Sequence, residues 1–566
     1  MTDKYDFIVV GAGAAGAILA WRLAYSKQRP SVLLVEAGGK NDSKDVRADA
    51  ERWLHRMNPA QNWSYKTVPT KGFDGSIIDY DRGKGLGGST SINFSCWTMG
   101  PSEDYEEIAR IVGDDEWKWT NAQKRYKRIE TFHSAPPEVP DEVQKYLNPR
   151  AEDHGHDGPI HTGFPRIWEP SVKELIDIWV ENGAKLNPDH NDGDPTGLAM
   201  CASTAYNGVR STSADALVGA PKNLQVLTDT EVSRVVFDGT KATGIETFSG
   251  RTIHADKEII LSCGSLDTPR ILMYSGIGPE DQLIRYNIPI VKANSNVGQH
   301  LKDHHHTVLS FDRADHTSQR QRFYRNKELQ EAARAQWQKD GTGPLAEFAC
   351  SMAIAYEKLD SLYDSPEFQQ LPQIQQEHLK KPTVPHYEYL LNAAYLPHFL
   401  DPANAAAGTS IFVFVLNMQS SGSAVLQASD PRTPLLFDCN FFAHPYDKRV
   451  AIEATREVLK VVKSQQFSKD TISMTNAPKS DSDEDIVDYW KKTSMSTWHM
   501  MGTCRMGEEE SQAVVDKDFK VFGVQQLRLA DMSVIPVTVN CHTQTTAYLA
   551  GLTAGDKIVA EYGLDD

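Results

Sequence analysis

One stretch limits what this chain can fold into more than any other: residues 5–24, YDFIVVGAGAAGAILAWRLA. Residues 5–10 are apolar and β-branched, the pattern of a buried parallel strand. Gly11, Gly13 and Gly16 follow at G-x-G-x-x-G spacing and open directly into the apolar-periodic run 17–24, which reads as a helix. Gly11 permits the tight turn, Gly13 lets a pyrophosphate approach the backbone, and Gly16 lets helix and strand pack closely. Ala14 and Ala15 belong to the same phosphate-facing turn. A second strand, SVLLVEAG, ends at Glu36 and Ala37, about twenty residues after Gly16. A carboxylate there can accept both hydroxyls of an adenosine ribose and would repel a 2′-phosphate. The complete unit predicts a dinucleotide-binding α/β domain. The alternative is a glycine-rich βα turn with no ligand.

The chain is 566 residues long, enough for two or more cores. Its formal charge of −17 argues against a nucleic-acid surface, which needs clustered Lys and Arg. Seven cysteines without C-x-x-C spacing favour free thiols in a reducing compartment. A first strand at residue 5 leaves no room for a signal peptide, and no apolar run reaches the ~18 residues of a spanning helix. The chain does not end in a Ser-Lys-Leu type signal. Together these features predict a cytoplasmic protein without membrane contact. The oligomeric state is not readable from them.

After Glu36 the sequence is polar as far as residue 59, then strand-like at residues 62–65. Residues 81–107, DRGKGLGGSTSINFSCWTMGPSEDYEE, place Gly83, Gly85, Gly87 and Gly88 close together. That run suits backbone wrapped against a flat or anionic ligand. The apolar Ile92, Phe94, Cys96 and Trp97 that follow argue against a loose surface loop.

Residues 83–93, GKGLGGSTSIN, with Trp97, Gly100 and Glu106 downstream, resemble the first signature of the glucose–methanol–choline (GMC) family of flavin oxidoreductases. Residues 264–278, GSLDTPRILMYSGIG, resemble the second, with Pro269 near a helix start and Gly276 just past its end. The resemblance runs from Asp6 to about Ala560. It implies an α/β fold (α+β overall). A Rossmann-like FAD-binding domain built from discontinuous segments joins a substrate-binding domain with a mainly antiparallel sheet covered by helices. The expected division is an N-terminal region, 1–310, with inserted substrate-domain segments. The main substrate-binding part, 311–425, comes next. A C-terminal region, 426–566, returns to the FAD domain. The resemblance also implies FAD contacts from Arg82, Gly83, Leu86, Gly87, Gly88, Asn93, Phe94 and Ser95. Further contacts are implied from the Val232 backbone, Gly264, Asp531, Thr543 and Gln544.

Other stretches read locally. Residues 207–212 open a helical stretch, and residues 223–232 and 257–264 are strands returning to the nucleotide domain. The run 297–306 resembles the family's crossing towards the flavin. Its three histidines, His304 to His306, do not read as a metal site, since adjacent residues point different ways and no acidic or cysteine partner has ligand spacing. A charged segment, residues 326–340, reads as a helix. Tyr387, Tyr389, Phe412 and Phe414 read as strands of a sheet roofing the flavin, most of them as core. The acidic run 480–485 reads as a solvated lead into a helix.

His499 lies in TWHMMGTCRM, and His542 precedes a helix running to about Tyr562. Either alone is more often structural. In GMC enzymes the first position is histidine and the second histidine or asparagine, both at the flavin edge where substrate binds. This chain has the His/His version, as glucose and aryl-alcohol oxidases do. Oxidising an alcohol removes the hydroxyl proton while hydride leaves carbon for flavin N5. Imidazole has the ordinary pKa for accepting that proton. The second imidazole can hold the alkoxide oxygen, and a protonated one supports negative charge on reduced flavin and on superoxide. The helix beginning near Thr543 would direct its positive end at the flavin N1–C2 edge. Some relatives link flavin through a histidine just before the signature asparagine. Ile92 stands there in this chain, so non-covalent FAD is expected.

The reading is an FAD-dependent oxidoreductase of a small-molecule alcohol, with O2 as the preferred acceptor. A dehydrogenase with another acceptor, a non-redox hydroxynitrile-lyase-like member and a non-catalytic flavin binder remain open. The identity of the alcohol is not readable.

Overall fold

The structure, a computed structural model, describes residues 4–48, 58–133, 141–165, 168–347, 352–395 and 407–566. Part of the polar segment after Glu36 (residues 49–57) and Cys350 lie outside them. The strand–turn–helix–strand pattern forms as read: β1 (Lys4–Val10), α1 (Ala14–Ala24) and β2 (Val32–Val35). The helix begins at Ala14 rather than Ala17, because its first turn is made of residues small enough to lie on the strand. A Cβ at Gly16 would sit 1.9 Å from the Gly11 carbonyl oxygen.

The chain returns to this sheet with β3 (Leu224–Leu227), β4 (Val232–Asp238), β5 (Lys241–Thr247) and β6 (Thr252–Leu261). The order is β3-β2-β1-β6-β5-β4. The first four strands are parallel, and β5 and β4 extend the sheet antiparallel. β2 and the ends of β1 and β6 are buried throughout, so they read as unbroken Val/Ile/Leu runs rather than as alternation. α2 (Gly264–Tyr274) leaves the end of β6. Pro269 is therefore inside the helix, not near its start. Its missing N–H leaves the Ser265 carbonyl without a helical donor, and the Thr503 hydroxyl donates to that oxygen at 2.6 Å. Gly276 lies just past the end of α2, at φ +85°.

A second sheet is built from β7 (His305–Arg313), β8 (Ala353–Glu357), β9 (Tyr387–Asn392), β10 (Ala407–Val415), β11 (Thr471–Asn476) and β12 (Met495–Ser496). Its order is β8-β9-β10-β7-β11, with β12 also on β7, and every pairing is antiparallel. The charged segment forms α3 (Lys327–Asp340), capped by the Asn326 side chain. The acidic run leads α4 (Asp483–Thr493), capped by Ser482, with three acids in the first turn where the helix dipole favours them. Strand parity divides the aromatic residues. Tyr387 and Tyr389 pack into the main core, where Tyr389 meets Trp179 at 5.9 Å. Leu390, Phe412 and Phe414 point to the opposite face, in a separate cluster with Met352 and Cys96.

The last segment closes the nucleotide domain. β13 (Leu527–Leu529) adds to β6 in parallel, and α5 (Gln544–Glu561) packs on α1. Helix contact is close: a Cβ at Gly551 would fall 2.2 Å from the Ala15 carbonyl oxygen. Among the described residues, six cysteines are free and no helix is long and apolar enough to cross a membrane.

One buried charge cluster lies away from both sheets. His154 is bracketed by Glu130 at Nδ1 and Asp189 at Nε2, each at 3.1 Å, and its ring stacks on Phe132 at 3.8 Å. Burial alone would lower the imidazole pKa, but the two carboxylates overcome it and push it up to about 10. The folded value lies above the ordinary 6.5, so the stabilisation is complete below 6.5 and is lost as pH rises through about 10. The melting temperature is expected to fall between neutral pH and pH 10 more steeply in the wild type than in His154→Gln. Parallel melting curves for the two proteins would show that this imidazole is not the charged member.

Candidate active site

The first sheet and α1 border a cavity. Gly11, Gly13, Ala14 and Ala15 line one part of it, and Glu36, Ala37 and Val232 another. Arg82, Gly83, Gly88, Gly264 and Asp531 also line it. Three observations test whether a dinucleotide fits. The N-terminus of α1 has no side-chain cap, so its first N–H groups are available to an anion. A Cβ at Gly13 would meet nothing nearer than Gly88 Cα at 3.9 Å, so the loop leaves room that the protein does not fill. Gly264, at φ +82°, likewise has no atom within 4 Å of where its Cβ would be. The residues fit FAD on all three counts.

Glu36 is buried, and burial raises its pKa against four backbone hydrogen bonds. Oε2 accepts the Ala12 N–H, and Oε1 accepts those of Gly38 and Gly85, each at 2.9 Å. These contacts occupy three of the roughly four acceptor sites of a carboxylate. Asp531 accepts the Gly264 N–H at 2.9 Å and the Thr268 hydroxyl at 2.6 Å, which ties the end of β13 to the start of α2.

A second cavity adjoins the first and shares Ala14, Arg82 and Ser89 with it. Asn93, Phe94 and Ser95 line it, as do Thr543 and Gln544 at the start of α5. His499 and His542 lie on its wall with ring centroids 5.0 Å apart. Ile92 lines it where a flavin-linking histidine would stand. Leu86, Gly87 and Gly16 line neither cavity. Leu86 and Gly87 hold the glycine loop, their N–H groups donating to the Gly39 and Ala12 carbonyls, and Gly16 lies in the helix–strand contact.

The two imidazoles have opposite electrostatic settings. Burial first, and then His542 and His304, hold the His499 pKa well below 6.5. Against the same burial penalty, the Glu388 carboxylate raises that of His542 well above 6.5. Glu388 lies 2.8 Å from His542 Nε2. These settings favour the neutral form of His499 and the charged form of His542, whose partner Glu388 is itself buried and has its carboxyl pushed above the usual range by that burial. His304 Nδ1 meets His499 Nδ1 at 3.0 Å, and burial lowers the His304 pKa to about 3. The backbone on either side of His499 is tied down. Its N–H donates to Asp303 at 2.8 Å, and Arg82 donates to the carbonyl of Trp498 at 2.6 Å. Trp498 itself is at φ +60°, a strained conformation for a tryptophan.

The sequence reading missed Glu388, Asp303, and the parts taken by His304 and His306. An acid within the six-residue strand YEYLLN, otherwise apolar apart from its end, was the available signal for Glu388. The three histidines separate as adjacent residues must. His304 backs His499, His305 packs on Phe441 at 4.3 Å, and His306 lines the cavity against Phe414 at 4.9 Å. No group of three or more His, Cys, Asp or Glu among the described residues is arranged to hold a metal.

Comparison with known proteins agrees with this architecture. Two family models described as GMC oxidoreductase match residues 5–306 and 418–551. Pyranose dehydrogenase 3 of Leucoagaricus meleagris is 31% identical over 99% of this chain and 93% of its own length. A pyranose dehydrogenase of Agaricus xanthodermus is 32% identical over the same shares. Among solved structures, a formate oxidase of Aspergillus oryzae RIB40, studied for FAD modification, superposes with a TM-score of 0.89 at 27% identity over 99% of both chains. A fungal aryl-alcohol oxidase superposes with a TM-score of 0.84 at 22% identity over the full length of both, a likeness of fold.

Proposed function

Because this chain belongs to the GMC oxidoreductase family, whose members carry out FAD-dependent oxidoreduction, we propose that it oxidises a small-molecule alcohol at the CH–OH carbon, with non-covalently bound FAD and O2 as acceptor. The observation that carries the reading is the pair His499 and His542, with ring centroids 5.0 Å apart on the wall of a cavity adjoining the dinucleotide cavity, in settings that favour a neutral His499 and a charged His542. Bound FAD supplies the two-electron acceptor for the carbinol carbon. His499 takes the hydroxyl proton. Its Nδ1 is engaged by His304, which leaves Nε2 as the ring nitrogen for substrate. That role requires the proton between the two Nδ1 atoms to sit on His499, so that Nε2 carries the lone pair. His542, charged through Glu388, attracts the oxygen as it becomes negative. Thr543 and Gln544 bring the N-terminal end of α5 to the same cavity, adding positive potential.

A dehydrogenase that passes electrons to another acceptor is the second reading, favoured by the names of the pyranose dehydrogenases. Anaerobic bleaching of the flavin by alcohols tests the oxidoreductase reading. Peroxide formation compared with turnover on an artificial acceptor then separates oxidase from dehydrogenase. The purified protein is expected to be yellow and to release its flavin on acid or heat precipitation, since Ile92 cannot form a histidyl link. Flavin retained in the pellet would overturn the non-covalent assignment.

A further inference from the structure

The wall beside the two imidazoles carries a statement about substrate that rests on the alcohol-oxidation reading above. Leu390 from β9, Phe412 and Phe414 from β10, and Met352 make up this wall. The Phe412 and Phe414 rings are 6.4 Å apart, and Phe414 meets His542 edge-on at 6.1 Å. Phe94 and Trp498 also line the cavity, with their rings stacked at 6.4 Å and 17° between planes. Three of the polar side chains that line the cavity, Asn93, Gln544 and Asp81, are engaged elsewhere. Asn93 donates to Gln544 and accepts from Arg210, and the Gln544 amide donates to Thr204 at 3.3 Å. Asp81, the one carboxylate lining the cavity among the described residues, accepts from Asn62 at 2.7 Å.

We propose that the substrate is an alcohol carried on an aromatic or similarly flat apolar frame, and not a sugar, with Phe94, Phe412, Phe414 and Trp498 as the specificity-determining residues. A flat ring gains stacked or edge-on contacts at this wall. A pyranose would bring several hydroxyls against Phe, Leu and Met side chains, where they lose water without gaining partners. The distinction cuts across the relatives, since the pyranose dehydrogenases named above share about a third of their residues with this chain.

The test uses the FAD-loaded protein in anaerobic stopped flow, with benzyl alcohol and D-glucose as separate probes. The second-order constant for flavin reduction is expected to be higher for benzyl alcohol by on the order of a hundredfold or more. Phe412→Leu keeps an apolar side chain and removes the ring, and should narrow that ratio about tenfold. Phe414→Leu serves as the second variant should Phe412→Leu lose its flavin. Reduction by glucose at an equal or greater rate overturns the substrate inference and leaves the oxidoreductase reading standing. A ratio unchanged in a flavin-loaded ring variant removes the wall from specificity. If dithionite bleaches the flavin but no alcohol does, the oxidoreductase reading itself fails, and the inference with it.

Discussion

Replacing His499 with alanine is expected to leave FAD bound and to slow anaerobic flavin reduction by alcohol about 100- to 10,000-fold, the usual cost of losing a general base. The argument is electrostatic as well as positional. A base must be unprotonated before the reaction, and His499 is kept so by burial and by the positive His542. Its pKa lies well below 6.5, so the limiting reduction rate of the wild type should be flat through neutral pH and fall only in acid. His542→Ala should also slow reduction, since it removes the cation that faces the developing negative oxygen. It would slow reoxidation by O2 as well if that charge serves superoxide. The double variant should lose little more than the worse single one, because both residues act on one oxygen. Stopped-flow reduction of the three variants decides the assignment. A wild-type rate in His499→Ala with a slow His542→Ala would exchange the roles. No slowing in either would make the pair structural.

The second large effect concerns the cofactor. Gly13→Val is expected to fold and yet weaken FAD binding on the order of a hundredfold or more, because the branched side chain would occupy the space of the pyrophosphate. The glycine environments separate binding from folding. At Gly13 the backbone is at φ −76°, and an added Cβ meets only Gly88 Cα at 3.9 Å. At Gly16 an added Cβ would fall 1.9 Å from a backbone oxygen. Gly16→Ala should therefore reduce soluble, folded protein, whereas Gly13→Val should yield folded apoprotein. Circular dichroism with the flavin-to-protein absorbance ratio measures both. Stoichiometric FAD in Gly13→Val would show that the phosphate-facing turn lies elsewhere.

Much of the first sheet was legible because its signals are local. Residues 5–36 carry strand burial, turn geometry and helix packing within one short run, and each property depends on near neighbours in the chain. The helix over residues 326–340 and the acidic lead at 480–485 were legible in outline for the same reason. Pro269 misled for a complementary reason. Proline suggests a helix start wherever its missing N–H would otherwise cost a bond, and here a hydroxyl far along the chain, on Thr503, satisfies the freed carbonyl. Glu36 was found by its spacing. Its contact with the second glycine run was not, because the Gly85 N–H reaches it from 49 residues along the chain.

The two cavity histidines show the same division. The sequence alone determined that the chain holds a dinucleotide-binding α/β unit, two glycine-rich segments suited to a cofactor, and two imidazoles at the positions the family resemblance marks. It could not determine what each imidazole does, because two histidines are chemically identical until their surroundings are set. Tertiary structure set those surroundings. Glu388 comes to His542 from β9, 154 residues away, and favours its charged form. His304 comes to His499 from the residue before β7, 195 residues away, and that ring stays neutral. Strand parity likewise turned Phe412 and Phe414 to the cavity and Tyr387 and Tyr389 to the core, a choice made by which face of the second sheet the rest of the molecule covers.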